Sequence, residues 1–220
     1  MYGVFMNIVK LILFFILLSC STNIKSFAGP KNWDEAMNYA PIQQKQFCDL
    51  TDTYVEDLAE AIVGRNEIKQ NKIKQQRQED LDGLIPEGRF KDWIVKTVSV
   101  KQVNDQKNKK VDGNAAVVFE LWCGTQIGSG RFNVGGDLKW GATIQYDSRQ
   151  YREVSKLSSG EFAIISGTFQ KINDFAPGQK ETYYASRPLT NKDLEDIKNS
   201  RYGNGDELFL AAIKYIASAK

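Results

Sequence analysis

The hydrophobic pattern of the chain changes near residue 90, and this change restricts the fold more than any other feature. Before it, apolar residues recur at spacings of three and four, which is typical of one apolar helix face. The residues of this face are Phe47, Leu50, Tyr54, Leu58 and Ile62. After it, β-branched residues become dense and apolar residues run or alternate as in strands. The sequence therefore predicts an α+β fold, with helices before a β-rich domain.

The helical part is assigned to residues 33–85. A short helix over 33–39 precedes a long one over 42–80. Beyond Gly64 the apolar face fades among lysines, arginines and glutamines. The interpretation that we favour is a helix end that projects into solvent, and the alternative is a basic patch for a partner, an anionic lipid or a polyanion.

The β-rich part contains a helix among its strands. A helix is predicted over 148–157, and residues 133–141 form a Gly-rich loop. The predicted strands are 90–100, 115–122, 126–132, 142–146, 162–169 and 182–187. The succession of three strands, a helix and a further strand, with room for a last one, is the order of an OB-fold barrel.

Four segments also resemble a known family. FKDWIVKTVSV, AAVVFELWCGTQIGSG, DSRQYREVSKLSSGE and FAIISGTF resemble the tRNA-anticodon-binding-like OB-fold domains of some bacterial envelope proteins. The resemblance covers roughly residues 89–175, which is under half of the chain. It implies a small OB-fold-like barrel, which we assign to residues 89–187, and a binding role.

Two C-terminal helices are predicted within residues 190–220. The first, over 191–199, starts at a segment similar to a capping box. The second begins at Asp206 and is predicted to pack on the barrel. Its apolar residues at helical spacing are Leu208, Phe209, Ala212, Ile213 and Ile216.

The N-terminus has the pattern of an export signal. Residues 11–18 are apolar and uncharged, a run too short for the roughly 20 residues that span a bilayer as a helix. We assign residues 1–28 to a signal peptide and tether. Residues 17–20, Leu-Leu-Ser-Cys, resemble the lipobox of bacterial lipoproteins, so Cys20 is the predicted lipidation site; cleavage after Ala28 is the alternative. The predicted location is the periplasm or cell envelope.

Two cysteines remain after Cys20, namely Cys48 and Cys123. In an oxidising compartment an even number favours a disulfide, and the alternative is two separate buried thiols. The chain contains no histidine, which excludes Ser-His and Cys-His nucleophile pairs and histidine metal ligands. We therefore predict no catalytic residue, no metal and no cofactor.

The candidate binding surface lies in and beside the Gly-rich loop. It consists of Arg131, Phe132, Lys139 and Trp140. Trp140 is the leading residue, because exposed aromatic side chains are frequent in recognition sites. In contrast, Trp93 and Phe119 are expected in the core. The acidic groups at residues 79–82 and 193–196 are interpreted as solvated charge.

These features favour a non-enzymatic envelope lipoprotein whose OB-like domain binds a protein partner, in a secretion, conjugation or other envelope assembly. The alternative is a module that binds oligosaccharide or single-stranded nucleic acid. Nucleic acid is the less favoured ligand, because a formal net charge of +2 gives no strong basic field. A third hypothesis is a carboxylate-based enzyme that acts on cell-wall material.

Overall fold

The fold is described from a computed structural model of the chain. The described residues are 29–134, 137–171 and 208–219. For the strand residues between 131 and 140, the description is confined to the backbone. The predicted signal peptide with Cys20, the strand predicted over 182–187 and the helix predicted over 191–199 lie outside the described residues.

The predicted helical part is formed by α1 (Trp33–Tyr39), α2 (Ile42–Val63) and α3 (Glu67–Leu84). The prediction of one long helix over 42–80 is wrong, because the chain turns between α2 and α3. Arg65 takes a positive φ of 50°, which a helix cannot continue. The side chain of Asn66 then caps α3 by accepting a hydrogen bond from the Lys69 N–H at 2.9 Å.

α3 packs back on α2, largely through polar contacts. The Gln70 side chain donates a hydrogen bond to the Ala61 carbonyl at 3.4 Å, and the Arg77 guanidinium lies 3.9 Å from the centre of the Tyr54 ring. Leu81 is the one residue of α3 that is buried. Side-chain pairs four residues apart support the helix, each by a few tenths of a kcal/mol. They are Gln75 with Glu79, Gln76 with Asp80, and Gln78 with Asp82.

A closed five-stranded barrel follows a short 3₁₀ turn, Pro86–Gly88. Its strands are β1 (Arg89–Gln102), β2 (Ala115–Glu120), β3 (Gln126–Gly128), β6 (Phe162–Phe169) and β7 (Leu208–Ser218). The order around the barrel is β1-β2-β3-β7-β6, and β6 pairs with β1 to close it. Neighbouring strands are antiparallel, except that β3 and β7 are parallel. This arrangement is compatible with a small OB-like barrel.

The helix predicted from Asp206 onward is wrong, since this segment forms β7. β7 pairs with both β3 and β6, and it buries Phe209, Ala211 and Ile216. Apolar periodicity does not distinguish a buried strand from a buried helix over a run of this length. The backbone groups of β3 and β6 need partners, which β7 supplies. The barrel therefore includes Leu208–Ser218 instead of ending at residue 187.

An aromatic cluster joins α2 to the barrel. Phe47 of α2 is fully buried, and its ring centre lies 5.0 Å from that of Trp93, 5.5 Å from that of Phe169 and 5.2 Å from that of Phe209. The prediction that Trp93 and Phe119 belong to the core is confirmed, since both are 0% exposed. Other fully buried barrel residues are Val95, Val117, Ile127 and Ile165. Side chains thus fill the barrel interior.

A buried glutamine on α2 completes the hydrogen bonding of β1. The Gln44 side chain donates to the Ile94 carbonyl at 2.6 Å and accepts from the Ile94 N–H at 2.8 Å. The pairing of β1 with β2 begins only at Lys96. Gln44 therefore takes the place of a neighbouring strand where β2 has ended, and both of its polar atoms are satisfied in an apolar setting.

The predicted disulfide between Cys48 and Cys123 is present, with the two Cα atoms 5.6 Å apart. Cys48 lies on α2, and Cys123 lies in the turn between β2 and β3, where Gly124 has a φ of +75°. The bond closes a loop with a sequence separation of 75 residues. It fixes the same helix that carries Phe47 and Gln44.

The helix predicted over 148–157 is confirmed in a shorter form, α4 (Arg149–Val154). Ser148 caps it by accepting a hydrogen bond from the Tyr151 N–H. Val154 is fully buried, so α4 contributes to the core. The strand predicted over 142–146 is wrong: only Ile144 forms a bridge, with Ala115 at the start of β2.

Replacing Gln44 with Leu should lower the free energy of unfolding by about 2–4 kcal/mol, because the buried N–H and carbonyl of Ile94 would lose their partner. Chemical denaturation followed by circular dichroism measures this loss. Gln46→Leu is the matched control, since Gln46 is exposed on the same helix and its replacement should change stability by less than about 0.5 kcal/mol. Equal effects at the two positions would contradict the assigned role.

Removing the disulfide with the double substitution Cys48→Ser and Cys123→Ser should destabilise the fold by about 4 kcal/mol, as expected for a loop of this length. Denaturation of the wild type with and without reductant gives an independent value for the contribution of the disulfide to the free energy of unfolding. The double variant should be insensitive to reductant, whereas a wild type that is equally insensitive would show that the bond makes no contribution to stability.

Candidate binding surfaces

The candidate binding residues lie on a β-hairpin inserted between β3 and α4. β4 (Arg131–Val134) and β5 (Asp137–Trp140) pair with each other as a separate two-stranded sheet. The register places Arg131 opposite Trp140 and Phe132 opposite Lys139. The structure thus places the four candidate residues in two adjacent cross-strand pairs, each with one cationic and one aromatic residue, and successive pairs belong to opposite faces of the hairpin.

Backbone contacts fix the base of this hairpin to the barrel. The Gly141 N–H donates to the Gly130 carbonyl at 2.7 Å, and Gly130 has a φ of +142°, which favours glycine. The side chain of Gln170, directly after β6, accepts a hydrogen bond from the Ala142 N–H at 2.8 Å. The Gln170 N–H in turn donates to the Leu210 carbonyl of β7. The hairpin therefore starts from a defined point on the barrel.

The prediction of a loop over 133–141 is wrong for residues 133, 134 and 137–140, which belong to β4 and β5. The sequence contained a signal for this hairpin. Gly135 and Gly136 separate two runs, RFNV and DLKW, and a glycine pair between short strands is typical of a two-residue hairpin turn.

A cleft of about 440 Å³ lies between the N-terminal segment and the barrel. Lys31 and Trp33 line it on one side, and Lys96, Glu161 and Phe162 line it on the other. The rings of Trp33 and Phe162 meet edge to face, with their centres 4.9 Å apart. No sequence motif indicates this cleft, because its residues come from distant parts of the chain.

The outer face of α2 is acidic. Asp49, Asp52 and Glu56 lie at spacings of three and four residues, and all three are exposed. Partial loss of hydration raises the pKa of Asp52 from 3.8 to about 6, and the negative charges of Asp49 and Glu56 add to this rise. Asp52 therefore titrates within a range of pH in which ordinary carboxyl groups are already ionised.

The other acidic residues considered from the sequence are solvated or lie elsewhere. Glu79 and Asp80 accept hydrogen bonds from glutamines on the exposed side of α3, and Asp82 also pairs with Lys171 at 2.9 Å. The acidic residues at 193–196 lie outside the described residues. Within the described ranges, no group of three or more aspartate, glutamate or cysteine side chains could hold a metal ion.

The raised pKa of Asp52 predicts a specific pH dependence of stability. The folded state holds this proton more tightly than the unfolded state, so its contribution is complete below about pH 4 and is lost as the pH rises through about 6. Asp52→Asn should therefore gain stability over the wild type between pH 4 and pH 7. Thermal unfolding across this range measures the difference.

An NMR titration of the Asp52 carboxyl carbon provides the control. Its midpoint should lie near pH 6, and Glu56→Gln should lower it only in part, because the loss of hydration remains the larger cause. A midpoint near pH 4 in the wild type would contradict the prediction.

No protein-family model matches the chain, and neither the curated proteins nor the solved structures include a match. Among the described residues, none of the helices combines the length and the apolar character needed to cross a membrane. Proposals about function therefore depend on the arrangement of the residues described above.

Proposed function

We propose that this chain is a non-enzymatic bacterial envelope lipoprotein that binds a protein partner through the β4–β5 hairpin. The observation that carries the proposal is the register that pairs Arg131 with Trp140 and Phe132 with Lys139. Aromatic residues and arginine are enriched at the energetic centres of protein interfaces. Three of the candidate residues chosen from the sequence, Arg131, Phe132 and Trp140, are of these types and belong to this short hairpin.

We also infer that the barrel belongs to the OB-fold class. Two features support this inference. The first three barrel strands are neighbours in chain order, and the last strand, β7, inserts between β3 and β6. α4 lies between the third and fourth barrel strands in the chain, as predicted for this fold. The role of an OB-type barrel depends on its surface residues, since this fold supports several kinds of ligand.

We also propose that the chain is exported by a signal peptide and anchored to a membrane by lipidation of Cys20. The apolar run over residues 11–18 favours a signal peptide, and the motif ending at Cys20 favours lipidation. The disulfide between Cys48 and Cys123 agrees with an oxidising compartment. A lipoprotein in the periplasm or cell envelope could serve as one component of a secretion, conjugation or other envelope assembly.

A second candidate function is the binding of single-stranded nucleic acid or oligosaccharide. The loop between β1 and β2 carries Lys107, Lys109 and Lys110, all exposed. OB-folds use this loop, together with the adjoining strands, to hold such polymers. A basic loop would produce binding to oligonucleotides that weakens steeply with salt, whereas binding through the hairpin aromatics would be less sensitive to salt.

Trp140→Ala should reduce partner binding by more than about ten-fold, as expected for the loss of a central aromatic contact. Crosslinking in intact cells, purification of the full-length protein and mass spectrometry measure the recovery of the partner. The same spectra report the mature N-terminus and whether Cys20 is acylated.

Tyr39→Ala is the matched control, because Tyr39 is 60% exposed on α1 and lies outside the hairpin. It should leave the recovery unchanged. Thermal unfolding of Trp140→Ala must stay close to that of the wild type, since a large loss would instead assign Trp140 to the core. Recovery of the protein without any partner would reject the assembly role and favour the second candidate function.

A further inference from the structure

We propose that the cleft between the N-terminal segment and the barrel is a binding site for a phosphate-type anion attached to an apolar group. Its volume of about 440 Å³ lies within the usual range of roughly 300–1,000 Å³ for small-ligand sites. Both charged and apolar side chains line it, as expected for a ligand with an anionic head and an apolar part.

Two lysines supply the positive charge. Lys31 comes from the segment before α1 and Lys96 from β1, so the two lysines that line the cleft belong to separate elements. Among the described residues, no carboxylate lies within ion-pair distance of either ammonium group, and the nearby Glu35 carboxylate accepts a hydrogen bond from the backbone N–H of Lys31 at 2.8 Å. Each ammonium group presents three hydrogen-bond donors, which suits the several oxygens of a phosphate.

The remaining charge in the lining belongs to Glu161, whose carboxylate accepts a hydrogen bond from the Ser158 N–H at 2.8 Å. One glutamate against two lysines leaves the lining with a net positive charge. This bond directs one carboxylate oxygen toward the loop that precedes β6. Glu161 therefore reduces the affinity of the cleft for an anion without abolishing it.

The apolar wall consists of Trp33 and Phe162, both partly exposed and in edge-to-face contact. Aromatic side chains with one exposed edge suit ligands that have both an apolar and a wet part. Gly160 adds open space, since a Cβ built at this residue meets no atom within 4 Å. An apolar group attached to the phosphate would lie against this wall.

The position of the cleft favours a lipid headgroup as the source of the phosphate, and this point rests on the proposed lipid anchor. Gly29 lines the cleft and lies nine residues after Cys20, a distance of at most about 30 Å along an extended chain. A lipidated Cys20 would therefore keep the cleft close to the membrane surface. Free phosphate presents the same anion without the apolar part.

The test uses the purified full-length protein and follows tryptophan fluorescence. The probes are inorganic phosphate and a short-chain phosphatidylglycerol below the concentration at which it forms micelles, both at constant ionic strength. Each should change the fluorescence saturably in the wild type, and the change should be absent in Trp33→Phe, which identifies Trp33 among the four tryptophans.

The double substitution Lys31→Gln and Lys96→Gln should weaken binding by roughly ten-fold, since each solvent-accessible charge contributes a factor of about three. Glu161→Gln should strengthen it. The matched control is Lys109→Gln with Lys110→Gln, which removes the same charge from the loop between β1 and β2 and should leave binding unchanged.

Tighter binding of the phospholipid than of phosphate supports the headgroup, and equal binding supports a soluble phosphate ligand at the same site. A wild type that responds to neither probe overturns the proposal, as does an unchanged affinity in the lysine variant. These outcomes are independent of the hairpin, because none of the substituted residues lies in β4 or β5.

Discussion

The contact between α2 and one end of the barrel determines how the helical and β-rich parts fit together. Phe47 lies against three barrel aromatics, Gln44 completes the hydrogen bonding of β1, and Cys48 is bonded to the turn after β2. Apolar burial, backbone hydrogen bonding and a covalent bond thus act on one helix. α3 buries little of its own surface, so its position depends on α2.

This contact also limits where a ligand can bind. α2 covers the barrel where β6 ends at Phe169, and α4 packs against β2 and β7, while apolar side chains fill the interior between them. The described barrel therefore offers its outer surfaces and insertions for recognition. The β4–β5 hairpin is an insertion, and the cleft beside Trp33 lies on the outer surface of the barrel.

Local patterns predicted the elements whose residues have one clear periodicity. The predicted apolar helix face around Phe47 and Leu58, the strand over 162–169 and a helix within 148–157 are present in the structure, because neighbouring residues decide them. β7 was missed because its apolar residues fit a helix as well as a strand, and only the open edges of β3 and β6 decide between them. The turn at Arg65 was missed since a fading apolar face does not show where the chain reverses.

The two candidate surfaces also differ in whether their residues are close together or far apart in the sequence. The hairpin residues are close in sequence, so the local run of aromatic and cationic residues identifies them, although their pairing depends on a strand register that the sequence alone does not determine. The cleft combines the N-terminal segment, the middle of β1, the start of β6 and Ala219 after β7, and no local pattern joins these four parts. Its shape depends on the pairing of β7. The base of the hairpin also depends on β7, because the Gln170 N–H donates to the Leu210 carbonyl and the Gln170 side chain accepts from the Ala142 N–H. Changes that loosen β7 should therefore disturb the cleft and the base of the hairpin together, whereas the pairing of β4 with β5 lies within a single insertion.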